Sequence, residues 1–81
     1  MEIDQDKIDD CVLALFFLTL DRDHRAWKGF DWAVLQRLHD KGYIGDPVNK
    51  AKSVWLTEEG AARSRALFEA YFSKPAGKDR A

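Results

Sequence analysis

The 81-residue sequence holds a single cysteine, Cys11, so no disulfide within the chain is available. Cys11 stands in an apolar run, where a thiol acts as a small hydrophobe rather than a reactive group. There are two histidines. His24 lies near Asp21 and Asp23, but no second histidine or cysteine stands at ligand spacing, so no metal site is expected. Thr57 and Ser64 have no basic partner at helical or strand spacing, which excludes an activated nucleophile. The expectation is a protein that is not an enzyme and has no cofactor. Long apolar runs are missing too. The longest, Cys11 to Leu18, reaches Leu20 only through Thr19 and is too short to span a bilayer. Residues 1–10 are acidic, the reverse of the positive start of a secretory leader. A cytoplasmic protein without a membrane partner is expected.

What is present fits one domain at residues 1–72, followed by a flexible tail at 73–81. At this size a single core is marginal unless something supplements it. The formal net charge of −1 hides an asymmetry. Residues 1–23 are strongly acidic, whereas residues 24–56 carry an excess of bases. That basic segment favours a nucleic-acid partner, although dedicated binders usually carry more charge.

Asp4 to Leu20 reads as a long first helix, with Asp4 as its cap and acids near its positive end. Ile8, Val12, Leu15 and Thr19 make one face. Leu13, Phe16, Phe17 and Leu20 make a second. A helix apolar on two faces needs two covers, and a second subunit is one of them. The other is the chain's own tryptophans and phenylalanines. Residues 21–30 read as a polar connector holding at most one helical turn. Asp31 to Lys41 is the next helix, stopped by Gly42. Its exposed side is expected to carry Gln36, Arg37, Asp40 and Lys41, with His39 at the core boundary. Tyr43 to Leu56 reads as a β-hairpin around Asp46-Pro47 and Asn49, with Trp55 facing away from Val54 and Leu56. Thr57 caps a last helix reaching residue 72, whose stripe is Ser64, Leu67, Phe68, Tyr71 and Phe72.

The fold class is therefore mostly α with a small two-stranded β-hairpin. The stretch Leu35-x-x-Leu38-x-x-x-Gly42-Tyr43-Ile44, followed by Leu56-Thr57-Glu58-Glu59-Gly60, resembles the wing region of bacterial winged-helix regulators of the MarR (multiple-antibiotic-resistance) and PadR (phenolic-acid) types. That likeness covers about half of the chain and makes the layout winged-helix-like. The wording HRAWKGFDW at 24–32, DPVNKAKSV at 46–54 and LTEEG at 56–60 also resembles a small uncharacterised bacterial family, a domain of unknown function.

In the regulators, the helix before the wing enters the major groove and the wing touches the backbone or minor groove. The resemblance thus implies a double-stranded DNA partner, read by Gln36, Arg37 and Lys41 and held by Asn49, Lys50 and Lys52. The sequence departs from the pattern because the connector is too short for the usual supporting helix. Asp31 and Asp40 are also poor neighbours for phosphate. Arg25, Trp27, Lys28 and Phe30 interleave bases with aromatics, which suits stacking on nucleic acid. Alternatively, Trp27, Phe30 and Trp32 fill the space of the missing helix. A homodimer is expected through Leu13, Phe16, Phe17 and Leu20, with Trp27 and Trp55 as further interface anchors. The competing expectation is a protein-interaction module without DNA binding, such as an accessory or inhibitor protein of a phage or mobile element, including the anti-CRISPR sort.

Overall fold

Each helix of the computed structural model, which describes residues 1–74, begins where a side chain takes up a free amide. Asp4 accepts from the Lys7 N–H ahead of α1 (Gln5–Phe16). Asp31 accepts from the Ala33 N–H ahead of α2 (Trp32–Asp40), and Thr57 accepts from the Gly60 N–H ahead of α3 (Glu58–Phe72). Between them lie β1 (Arg25–Trp27) and β2 (Ser53–Trp55). The tail read at 73–81 lies outside the described residues beyond Lys74.

Helix α1 stops earlier than its apolar pattern suggests. The amides of Phe17, Leu18 and Thr19 reach back three residues, to the carbonyls of Ala14, Leu15 and Phe16. The chain then turns at Asp21, whose Oδ1 accepts from the amides of Asp23 and Arg25. His24 sits in the left-handed region at φ 62°. Its carbonyl accepts the Leu56 N–H at 2.7 Å, and β1 starts from there.

The sheet is two-stranded and antiparallel, with Arg25 opposite Trp55, Ala26 opposite Val54 and Trp27 opposite Ser53. The expected helical turn in the connector is thus a strand. The hairpin read at 43–56 survives as a single Ile44–Leu56 bridge, with the Gly45 N–H donating to the Trp55 carbonyl. The main partner of β2 is β1, because Arg25-Ala26-Trp27 alternates out, in, out over the same core. Three helices with this small sheet are compatible with a winged-helix-like layout.

The core joins Val12, Leu13 and Phe16 of α1, Val34, Leu35 and Leu38 of α2, and Ala26, Ile44, Val54 and Leu56 from the sheet side. Phe30 packs edge-on against Phe16 at 5.3 Å. Trp27 and Trp32 do not fill that space; both are exposed. Leu13 and Phe16 are fully buried within this chain, so neither is available to a second subunit. Leu20 packs partly against the core, and Phe17 rests on Phe68 at 5.1 Å. Helices α1 and α3 run side by side in the same direction, linked at Asp10–Arg63, Leu13–Ser64 and Phe17–Phe68. The Ser64 hydroxyl is buried and donates to the Leu13 carbonyl at 2.6 Å.

Two glycines are required. Gly42 ends α2 at φ 82°, where a side chain is strained. Gly60 brings α3 onto the Tyr43 carbonyl, which is itself held by the Thr57 N–H at 3.0 Å and hydroxyl at 3.3 Å. A Cβ at Gly60 would overlap that carbonyl. Gly60→Ala is therefore expected to destabilise by about 3 kcal/mol, at the upper end of overpacking costs. Ala62→Gly, on the exposed face of the same helix, should cost only about 1 kcal/mol. Urea unfolding of the two variants checks the difference, and equal midpoints would refute it.

Candidate functional site

The cations of α2 do not face solvent as a group. Arg37 donates to both oxygens of Asp9, through Nε at 2.8 and 3.1 Å and through Nη2 at 2.7 Å. Lys41 Nζ lies 3.1 Å from Asp9 Oδ2 and 3.1 Å from Asp6 Oδ1. The Asp9 side chain has 0% exposure, and Arg37 retains 27%. Arg37, expected on the outer side, is turned toward α1. Gln36 is exposed, but its amide donates to Asp40 at 3.1 Å. His39 is half-buried, with Nδ1 3.0 Å from the Ile44 carbonyl, at the core boundary as read. The structure therefore does not bring Gln36, Arg37 and Lys41 together as a free reading surface.

Burial alone would raise the Asp9 pKa, but the Arg37 and Lys41 hydrogen bonds and charges outweigh it and hold the carboxyl below its ordinary value of 3.8. The same pairing raises Arg37 and Lys41, against the opposing effect of burial. Asp9 was not legible as a site residue. In sequence it is one of several acids near a helix start, and its partners lie 28 and 32 residues away.

A group with a depressed folded pKa contributes stability that is present above its unfolded pKa and lost as pH falls through the folded one. The Asp9 contribution is thus complete above about pH 4 and lost below it. Asp9→Asn should destabilise by roughly 2–3 kcal/mol at neutral pH, less than a fully buried pair because both cations reach solvent. Its stability should vary less with pH below about 4 than that of the parent. Melting curves from pH 7 to 2.5 test this, and parallel pH profiles would count against it.

The loop at 45–52, the expected wing, is organised around Lys28. Lys28 Nζ donates to the carbonyls of Pro47 (2.8 Å) and Asn49 (3.2 Å) and to Asn49 Oδ1 (2.9 Å). Asn49 Oδ1 also accepts from the Ala51 N–H, and Asp46 Oδ1 from the Val48 N–H. Asn49, expected as a nucleic-acid contact, is exposed and its side-chain amide also shapes the loop. Lys50 and Lys52 are exposed and make no ion pair among the described residues.

The outer face of the sheet carries Arg25 and Trp27 from β1 and Ser53 and Trp55 from β2. Trp27 is 55% exposed and Trp55 48%. The two stand diagonally across the register. Between them the Arg25 guanidinium donates to the Ser53 hydroxyl at 2.8 Å and the Ser53 carbonyl at 3.2 Å. The Trp55 ring lies over Gly45 and the Trp27 ring over Gly29. This face joins residues that the sequence reading had scattered between an interface and a stacking motif. The sequence signal for it is the alternation in Arg25-Ala26-Trp27, which the polarity of the connector masks.

Among the described residues no group of histidine, cysteine and acidic side chains is placed to hold a metal ion. No described helix is long and apolar enough to cross a membrane.

Residues 4–74 match the family model of DUF6429, a domain of unknown function. An uncharacterised protein, y4hR, of the bacterium Sinorhizobium fredii is 61% identical over 74 residues, which is 91% of this chain and the whole of that relative. No solved structure matches the chain. Neither match extends to the winged-helix regulators. With 71 consecutive residues under one family model and a full-length bacterial relative at this identity, the chain belongs to the DUF6429 family.

Proposed function

We propose that this protein binds nucleic acid through the wing and the outer face of the sheet, and not through insertion of α2 into a groove. The observation that carries this reading is the division of its cations. Arg37, Lys41 and Arg63 are neutralised by Asp9, Asp6 and Asp10, while Lys50 and Lys52 stand exposed beside the sheet. Phosphate contacts need accessible cations, and the wing retains them. No catalytic role is proposed. Self-association remains part of the proposal only through side chains still accessible at the ends of α1 and α3, Phe17, Leu18, Tyr71 and Phe72.

A second reading is a protein-interaction module. Trp27 and Trp55, half-exposed with an arginine between them, have the residue types that dominate protein interfaces. On that reading nucleic acid does not bind at physiological salt, and a protein partner is lost on Trp55→Ala.

Fluorescence anisotropy with labelled oligonucleotides across a salt series separates the two. The Lys50→Glu/Lys52→Glu variant should bind at least ~10-fold more weakly and lower the salt slope by about 2, one for each lost phosphate contact. Binding unchanged by the double reversal, or no binding by the parent, would overturn the nucleic-acid reading.

A further inference from the structure

We infer that the outer sheet face is a stacking platform for single-stranded nucleic acid, with Trp27 and Trp55 receiving bases and Lys50 and Lys52 lying along the phosphate path. The inference rests on the nucleic-acid reading above and names the form of nucleic acid bound.

The geometry is that of a preset platform. Trp27 and Trp55 occupy diagonal positions on adjacent strands, a separation of roughly 7–8 Å, so two bases of one strand can be served together. Both indoles keep about half of their surface free, and neither is needed to close the core, which is complete with Ala26 and Val54 on the inner side. The Arg25 guanidinium is already held by two hydrogen bonds to Ser53, so little further freedom is lost when a base or phosphate meets it. Of the acids near in sequence, Asp21 holds the amides of Asp23 and Arg25, Asp31 that of Ala33 and Asp46 that of Val48, while Asp23 and Glu58 are exposed.

The form follows from what each surface offers. Indole faces reward bases that are free of their own stack, and a duplex presents only backbone and groove edges. Groove reading would need α2, whose Arg37 and Lys41 are tied to α1 and whose Gln36 is paired to Asp40. With a face only two short strands wide, the footprint should be about four nucleotides, the small end of the range for single-strand binders.

Titration of the full chain with a 12-nucleotide oligo-dT and with a 12-base-pair duplex, followed by tryptophan fluorescence and anisotropy, tests this. Oligo-dT should quench the indole emission and bind at least ~10-fold more tightly than the duplex. Trp27→Ala and Trp55→Ala should each weaken oligo-dT binding by at least ~5-fold, Trp27→Phe and Trp55→Phe should retain most of it, and Trp32→Ala should leave it unchanged. Circular dichroism melts of the same variants report folding, and the phenylalanine pair preserves the test if an alanine variant unfolds. If the duplex binds as tightly, or the alanine variants bind normally while Lys50→Glu/Lys52→Glu does not, the platform is wrong and the nucleic-acid reading stands. If neither probe binds, both fall.

Discussion

A carboxylate without exposed surface fastens α1 to α2, and much of the remaining arrangement depends on it. Hydrophobic contact between helices is non-directional and tolerates rotation about the helix axis. The fork of Arg37 on the two oxygens of Asp9, with Lys41 beside it, does not. It fixes the roll of α1 so that Leu13 and Phe16 point inward, while Ile8 is left 39% exposed. The same roll presents the Leu13 carbonyl to the buried Ser64 hydroxyl, which joins α3 to α1. A buried carboxylate is tolerated because two cations and three hydrogen bonds from one guanidinium offset its lost hydration.

The acids at the start of α1 also decide which basic side chains stay free. Three basic side chains that could meet phosphate are consumed in closing the fold against the acidic start of α1. Lys50 and Lys52 are among the cations left accessible, with Lys7 and Arg22. Lys28, although basic and adjacent, is directed into the loop, where backbone carbonyls surround its ammonium group. The sheet side combines free lysines with exposed indoles, and the α2 side does not.

The connector has a similar double role. Its polarity argues for a loop, yet its hydrogen bonds tie it to the rest of the chain: Asp21 closes the turn, His24 accepts from Leu56, and Thr19 accepts from the Trp27 amide. The short strand β1 leaves Trp27 on the surface.

Sequence alone determined the features whose causes are local. The caps at Asp4, Asp31 and Thr57 need only the next three residues, and the stop at Gly42 needs only a conformation that glycine adopts freely. The outward turn of Trp55 follows from strand alternation, and the mostly helical class from periodicity. Tertiary structure decided the rest, because the causes lie far apart in the chain. Asp9 meets Arg37 across 28 residues, and β1 finds β2 with the same separation at Arg25 and Ser53. No local pattern distinguishes a helix-start acid that is solvated from one that is buried, or a basic residue that is free from one already paired. Which charges remain available for a partner is therefore a property of the folded molecule.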